Sequence, residues 1–450
     1  MSVFFFTAFT VAEILLVVLT LTKFSEKSAW LNNRAIIRLA ETVLLLGIIL
    51  VPSTHMKWRF LTALFVIIIR FLTAGIAWLI KRKKVSGLKK KAGTVVNCIF
   101  SILLIAFTLV PAFLFTNYNG LHPTGNYQVK ETGAILVDES RKDSFENDGS
   151  FREVPAHFFY PDTDNGNFPL VVFSHGAFGY YQSNFSTYEE LASHGYIVVS
   201  LDHPHHSFFT TDTEGKTVTV DTDFINDVMK INEETSNQQV FDLSQDWLKL
   251  RTDDENFVLD TIEQAKNTSR LSKIWHTENE QIILDVLAKT DTDKIGLMGH
   301  SLGGASGVAL GRTRNDIDAV IALDGTMLGE ITAVNNEKNV YYSESYPVPV
   351  LDFTKEKDYN ERELYKNKNG YPYVNEYVIA NAKDGKTVIF ANAEHMDFTD
   401  LPLISPFIAS MLGHGDVNSE EFMNTVNGIV LNWFDYYLKN EGTLDIQAKY

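Results

Sequence analysis

The sequence contains a single cysteine and few acidic residues in its first third. Cys98 is the only cysteine among 450 residues, so the chain forms no internal disulfide and has no cysteine-based metal site. Residues 1–117 contain 14 Lys and Arg but only 3 acidic residues. Subtracting these from the totals of 39 bases and 56 acids leaves 25 bases and 53 acids in residues 118–450. A domain this acidic is unsuited to nucleic acid, and we expect no nucleic-acid partner.

The basic first third consists largely of apolar runs. Four of them approach the roughly 20 residues that cross about 30 Å of hydrocarbon, namely 2–22, 35–51, 60–80 and 93–116. The second is the weakest, because Arg38 and Glu41 leave an uncharged run of only about 15 residues. The sequence therefore predicts an α-helical transmembrane bundle of four spans over residues 1–117.

The loops between these spans differ strongly in positive charge. Residues 81–91 carry seven cations, and the loop between the first two spans adds Lys23, Lys27 and Arg34. The opposite side has only Lys57 and Arg59. The positive-inside rule places the ten cations in the cytoplasm. We therefore expect a multi-pass protein of the cell membrane with residues 118–450 on the extracytoplasmic side.

Charged residues inside the spans need partners. Glu13 and Arg70 lie near the midpoints of the first and third spans, where an unpaired charge is unfavourable by roughly 2.5–3.5 kcal/mol. We predict that they pair inside the bundle. Arg38 and Glu41 are one helical turn apart on the second span and can pair locally.

After residue 150, short apolar runs alternate with helical patterns, which is typical of a mostly parallel central sheet with helices on both faces. The predicted strands are 155–160, 169–174, 196–201, 294–299, 318–323, 347–353 and 386–391. Residues 207–250 are polar and rich in turn residues, with a hairpin signal at 213–216. We interpret them as an insertion over the active site, within one domain that spans residues 118–450.

The most informative motif follows the predicted strand 294–299. It is the pentapeptide Gly299-His300-Ser301-Leu302-Gly303, which leads into small residues and a helical pattern. A G-x-S-x-G sequence between a strand and a helix is typical of a nucleophile elbow, where the serine lies on a strained turn and its neighbours at ±2 are small. Ser301 is the predicted nucleophile.

Two further elements of a serine hydrolase can be located from their order in the chain. A His-Gly turn, His175-Gly176, ends the strand 169–174, and such a turn supplies an oxyanion donor in α/β-hydrolases. We assign the two donors to the backbone N–H groups of Ala177 and Leu302. The base must follow the elbow, and only His395 and His414 do so. His395 comes directly after an apolar strand and is the predicted base.

The acid has two candidates on the residues alone. Asp324 ends the strand 318–323, and Asp358 lies nine residues after Pro349. Either carboxylate could hold His395 in the required tautomer. A separate cluster, residues 202–206 (Asp-His-Pro-His-His), has spacing that could hold a metal. Because it follows a strand on the active-site side, we expect it to line the pocket rim or to be solvated, and we predict no metal and no cofactor.

The sequence resembles the platelet-activating-factor acetylhydrolases and their bacterial relatives, within the wider dienelactone hydrolase and esterase-lipase group, over residues 121–440. The motifs that carry the resemblance are Pro123-Thr124-Gly125, Asp138-Glu139-Ser140-Arg141, Arg152, Phe159-Tyr160-Pro161, the Phe-Ser-His-Gly turn at 173–176, residues 251–260, Gly-His-Ser-Leu-Gly-Gly at 299–304, Ala-Leu-Asp at 322–324, and His395 with Asp397-Phe398. The resemblance implies an α/β-hydrolase fold, an acid at Asp324 and a hydrolase domain that includes residues 123–150. The familiar secreted and cytosolic members lack a four-span anchor.

Together these features predict a membrane-anchored serine hydrolase that cleaves carboxylic esters, either lipids or small acyl esters, through a Ser-His-Asp triad and an acyl-enzyme. Two alternatives stay open at this point. One is an extracytoplasmic acyltransferase, in which an envelope alcohol replaces water. The other is a catalytically inactive hydrolase-fold domain that serves as a membrane sensor or scaffold.

Overall fold

The structure, a computed structural model, describes residues 1–22, 26–81, 87–231 and 235–450. It divides into two compact units. The first, here called the helical unit, comprises residues 1–120 and 402–411, and the second, the sheet unit, comprises residues 121–401 and 412–450. Parts of the sequence predictions lie outside the described residues: Lys23, residues 82–86 of the basic loop and residues 232–234 of the insertion.

The described helices and strands follow in chain order. The α-helices are α1 (Ser2–Thr22), α2 (Lys27–Leu50), α3 (Leu61–Lys81), α4 (Lys91–Thr108), α5 (Val110–Leu114), α6 (Phe185–Ser193), α7 (Thr222–Lys230), α8 (Asn237–Ala265), α9 (Glu280–Ala288), α10 (Leu302–Thr313), α11 (Glu356–Asn369), α12 (Val374–Asn381), α13 (Leu401–Ile404), α14 (Pro406–Leu412) and α15 (Ser419–Phe434). Short 3-10 turns cover Lys57–Phe60, Leu328–Glu330 and His395–Phe398, and a π-helical turn covers Asp435–Lys439. The strands are β1 (Val129–Lys142), β2 (Phe151–Pro161), β3 (Phe168–Ser174), β4 (Ile197–Leu201), β5 (Phe209–Thr211), β6 (Thr217–Thr219), β7 (Trp275–His276), β8 (Thr290–His300), β9 (Ala319–Leu323), β10 (Ile331–Asn335), β11 (Lys338–Tyr341), β12 (Val350–Lys355) and β13 (Gly385–Phe390).

The helical unit contains the four predicted apolar stretches, but they are not equivalent. Among the described residues, three helices are long and apolar enough to cross a membrane by length and composition: Ser2–Thr22, Lys57–Lys81 and Lys91–Thr108. The predicted second span falls in α2, which has 24 residues but includes Arg34, Arg38 and Glu41. The fourth stretch is divided, because α4 ends at Thr108 and a separate short helix with a proline in its first turn follows.

The charged residues of the helical unit form one connected cluster. Arg70 on α3 donates a hydrogen bond to Glu13 on α1, which confirms the predicted pairing. Arg38 on α2 lies 2.6 Å from Glu41 and 2.7 Å from the same Glu13 oxygen. Helices α2 and α4 each pack against both α1 and α3. Glu13 therefore joins three helices, whereas the sequence predicted two separate pairs.

The sheet unit is built on one mixed sheet with the strand order β13-β12-β9-β8-β3-β4-β2-β1-β7. The six strands from β13 to β4 are parallel, and β2, β1 and β7 run antiparallel to their neighbours. Helices pack on both faces. Strands β3, β4 and β9 are buried along their whole length, as expected where both faces of a parallel sheet are covered.

All seven predicted strands are present. The sequence did not predict β1, the longest strand, which pairs with β2 near the edge of the sheet. Buried and less buried residues alternate along its middle, and charged residues lie along its length. It therefore lacks the continuous apolar run by which the central strands were recognised.

The predicted insertion, residues 207–250, contains several regular elements. Strands β5 and β6 form an antiparallel hairpin around the 213–216 turn, as predicted. Helix α8 passes through residue 250 without a break, so that residue is not an element boundary. Phe224 of α7 and Leu248 of α8 are buried in one cluster with Leu302 of α10. The insertion thus forms a wall beside the beginning of α10.

Candidate active site

The predicted site residues lie at the carboxyl ends of neighbouring parallel strands. Ser301 follows β8, Asp324 follows β9, and the His175-Gly176 turn follows β3. His395 begins the short 3-10 turn after β13. In open α/β sheets this edge is where ligands bind, because the loops that leave parallel strands converge there.

Ser301 lies on a strained turn between β8 and α10. Its backbone has φ 54° and ψ −121°, in the left-handed half of the map that a residue with a Cβ rarely adopts. A Cβ at Gly303 would lie 2.0 Å from the Ser174 carbonyl oxygen, and one at Gly299 would lie 2.3 Å from Gly303. The elbow therefore requires glycine on both sides of the serine. This geometry holds Ser301 half-buried at the edge of the sheet.

The structure brings Asp324 and His395 together. Asp324 Oδ2 lies 2.6 Å from His395 Nδ1. Asp324 has φ 49°, and its N–H donates to Phe353 O. These two features of the turn after β9 hold the carboxylate next to His395 Nδ1. Burial alone raises the pKa of Asp324, but the hydrogen bond from His395 and the nearby positive charges outweigh it and hold this pKa below its ordinary value. Asp324 is therefore a carboxylate at neutral pH.

The rival acid, Asp358, lies elsewhere. It is in the first turn of α11 and forms an ion pair of 3.1 Å with Lys355. Lys355 lies between the two candidates, with its Nζ 3.9 Å from Asp324. Among the described contacts, His395 pairs with Asp324 and has none with Asp358.

His300, within the elbow pentapeptide, contacts the loop that carries His395. Its ring centroid is 4.5 Å from that of His395, and its Nε2 lies 3.1 Å from the His395 carbonyl oxygen. Burial, followed by the charge of His395, lowers the pKa of His300 to about 3. His300 is therefore neutral and donates from Nε2 to that carbonyl. Within the described residues, no hydrogen bond joins Ser301 Oγ to His395 directly.

The backbone amides of the turn after β3 differ in their hydrogen bonding. The N–H of Phe178 donates to His206 O, and that of Gly179 donates to Gly176 O. Among the described hydrogen bonds, the Ala177 N–H has no acceptor. Leu302 is the first residue of α10, where a backbone N–H has no partner within the helix. Within the described hydrogen bonds, both predicted oxyanion donors are therefore amides without an acceptor.

A buried arginine holds this turn in place. Arg251 on α8 donates to His175 O and, at 3.3 Å, to Gly176 O. Burial lowers the pKa of Arg251 to about 10, so it remains charged at neutral pH. Two acids of the same helix, Asp254 and Glu255, are buried near it. Arg251 therefore binds the two carbonyl groups that directly precede Ala177 in the turn.

The Asp-His-Pro-His-His cluster packs against other protein groups and is largely buried rather than solvated. Asp202 accepts hydrogen bonds of 2.8 Å from Tyr181 N and Thr210 Oγ1. His203 is buried between Ser174 and Asp254. The rings of His205 and His206 stack on Phe145 and Phe224 respectively. Within the described residues, no group of three or more His, Cys, Asp or Glu could hold a metal ion.

Three residues of this region were not predicted as site residues. His300 lies inside the pentapeptide and Lys355 three residues before Asp358, so both were near recognised signals. Arg251 entered only as part of a matching segment. Nothing in local sequence indicates that a helical arginine contacts a turn more than 70 residues earlier.

The chain is similar to known proteins in fold and in sequence. A mostly parallel sheet of this order, with a serine on a strained turn after a central strand, defines the class of α/β-hydrolases. A ferulic acid esterase from Streptomyces cinnamoneus shares the fold, with a TM-score of 0.52 and 21% identity over 72% of this chain and 95% of that chain. A family model, platelet-activating factor acetylhydrolase, isoform II, matches residues 153–446, and the chain belongs to that family.

A platelet-activating factor acetylhydrolase of Canis lupus familiaris is 24% identical to this chain over 295 residues. The match covers 63% of this chain and 60% of the length of that relative. Residues 1–120, which form most of the helical unit, lie outside the family match.

Proposed function

We propose that the protein is a serine hydrolase of carboxylic esters, with Ser301 as nucleophile, His395 as base and Asp324 as the acid of the triad. The observation that carries this proposal is the 2.6 Å hydrogen bond between Asp324 and His395 at the strand end next to the strained Ser301. That bond keeps a proton on His395 Nδ1 and leaves Nε2 free to accept the Ser301 proton. Family membership supports an ester hydrolase.

The reaction follows from these positions. Ser301 Oγ attacks the ester carbonyl while His395 takes its proton, and the Ala177 and Leu302 amides stabilise the oxyanion. His395 then protonates the leaving alcohol as the acyl-enzyme forms. Water, activated by His395, releases the acid and regenerates Ser301. Each step uses side chains and amides of this chain, and the scheme includes no cofactor.

The helical unit supports a membrane location. Three of its described helices are long and apolar enough to span a bilayer. In our proposal α2, the predicted second span, also crosses the membrane, because Glu13 and Glu41 offset the charge of its Arg38 inside the bundle. Residues 1–117 then form a multi-pass anchor, and the positive-inside rule places the hydrolase domain, 118–450, outside the cytoplasm.

The proposed substrate is a lipid or a small acyl ester on the outer face of the membrane. The relatives are named as esterases of different kinds, a platelet-activating factor acetylhydrolase and a ferulic acid esterase. His395 has a side chain that is 36% exposed, so a substrate can reach the base directly from solvent. The cluster of Phe224, Leu248 and Leu302 forms an apolar wall beside the oxyanion donors.

The test uses the full-length protein in detergent, with a fluorophosphonate probe and p-nitrophenyl esters of short and long acyl chains. Labelling at Ser301 together with turnover supports the hydrolase, and Ser301→Ala should abolish both. Labelling without hydrolysis points to acyl transfer. Absence of labelling in a folded protein contradicts the proposal and favours a sensor or scaffold.

A further inference from the structure

A cavity of about 600 Å³ lies among α1, α2, α3 and α4 in the helical unit, and none of its lining residues belongs to the proposed ester site. Its lining is both basic and apolar. The apolar part includes Leu16, Val17 and Phe100, and Glu13 is the one carboxylate among the described lining residues. The cations in the lining are Lys27, Arg34, Arg38, Arg70, Lys81 and Lys89.

Most of this positive charge has no counter-charge within the described residues. Glu13 and Glu41 offset Arg38 and Arg70 through the cluster described above. No described carboxylate pairs with the other four cations of the lining. The sequence supplies only one further acid before residue 118, Glu26, and its side chain is exposed. A concentration of unpaired cations between apolar helices is costly unless an anion from outside the chain accompanies it.

Two of these cations, Lys89 and Arg34, lie over the same aromatic ring, that of Trp30. Lys89 Nζ lies 3.9 Å from the centroid of the Trp30 ring, and Arg34 Cζ lies 5.3 Å from it. The indole Nε1 of Trp30 is buried and has no hydrogen-bond partner in the described part of the chain. An anion with several oxygen atoms would contact the Arg34 guanidinium and the Lys89 ammonium together.

We propose that this cavity, the basic cavity, binds a phosphate group, and that the group belongs to an anionic phospholipid of the surrounding membrane. Arg34 suits a phosphate because guanidinium donors match its oxygens. Basic pockets between membrane helices on the cytoplasmic side recognise anionic headgroups. The apolar side chains of the same lining provide contact for acyl chains. A free phosphate ion has the same charge chemistry but makes no use of that apolar wall.

The experiment measures lipid binding to the full-length protein in detergent by native mass spectrometry. Phosphatidylglycerol and phosphatidylcholine with identical acyl chains are titrated, and inorganic phosphate is added as the soluble competitor. We expect the wild-type protein to bind phosphatidylglycerol about tenfold more tightly than phosphatidylcholine. The double variant Arg34→Gln/Lys89→Gln should lose most of this preference. Lys90→Gln is the matched control, because Lys90 is adjacent, exposed and outside the lining.

Each outcome separates the possibilities. Displacement of phosphatidylglycerol by millimolar phosphate, with the same dependence on Arg34 and Lys89, supports the phosphate site but assigns it to a soluble ion. Equal affinity of the wild-type protein for both lipids, without phosphate binding, overturns the proposal, and this arm needs no variant to fold. An equal loss in Lys90→Gln and in the double variant also overturns it, since general surface charge would then explain the preference. Fluorophosphonate labelling of Ser301 in the same samples reports the ester site independently.

Discussion

The substitution Asp324→Asn removes the charge beside His395 and keeps the shape of the side chain. The Asp324 side chain is 3% exposed, and its Oδ2 accepts the hydrogen bond from His395 Nδ1. An asparagine amide that donates to Nδ1 would favour the tautomer with its proton on Nε2. That tautomer cannot accept a proton from Ser301, so the general base is lost while the fold is retained.

The magnitude follows from the role of this bond. Loss of the correct tautomer lowers kcat by about 10⁴ in triad enzymes, which corresponds to about 5.4 kcal/mol of transition-state stabilisation. Asp358→Asn is the matched control. The Asp358 side chain is 33% exposed and pairs with Lys355, and exposed ion pairs contribute about 0.2–1 kcal/mol. The kcat of the Asp358→Asn variant should therefore differ from that of the wild-type protein by less than about sixfold.

The assay is steady-state hydrolysis of p-nitrophenyl butyrate by the full-length protein in detergent. Thermal unfolding of each variant shows whether the fold is intact. A greater loss of kcat in Asp358→Asn than in Asp324→Asn would move the acid to Asp358. A folded Asp324→Asn protein that keeps more than about a tenth of wild-type kcat would refute the tautomer argument itself.

Three further predictions concern the elbow, a buried acid and the topology. Gly303→Ala should abolish fluorophosphonate labelling, because the new Cβ would lie 2.0 Å from the carbonyl oxygen of Ser174 at the end of β3. Gly307→Ala is the control, since a Cβ there makes only ordinary contacts and labelling should be unchanged. Equal labelling of the two variants would refute the prediction. Burial raises the pKa of Glu255 from 4.5 to about 7, so between these two values the folded state holds a proton that the unfolded chain has lost, and stability falls as pH rises. Glu255→Gln should therefore reduce the fall of the unfolding temperature with pH in this window. An unchanged dependence of the unfolding temperature on pH would contradict the prediction. A protease added to intact cells should digest residues 118–450 and leave the 81–91 loop protected, and the reverse pattern would overturn the orientation.

The elbow and the central strands were predictable because their signals are local. A glycine at each side of Ser301 is required by contacts within a few residues of the turn and with one adjacent strand end. Strands such as β3 and β9 are apolar throughout because both faces are covered. By contrast, β1 carries charged and partly exposed residues, and its place in the sheet depends on pairing with β2.

The helical unit shows the same division between local and distant signals. The pairing of Arg38 with Glu41 follows from one helical turn. The additional contact of Arg38 with Glu13 depends on how α1 and α2 pack against each other. The basic cavity also depends on packing, because its cations come from separate helices and loops.

By itself, the sequence determined the class of fold, the nucleophile candidate Ser301, the histidine candidate His395 and the apolar helices that precede them. These depend on residue type and short spacing, which the chain carries locally. The tertiary structure decided which carboxylate faces His395 and that Arg251 supports the turn before Ala177. Asp324 and His395 are 71 residues apart, and the distance between their side chains is set by the order of the strands in the sheet, which is not encoded near either residue.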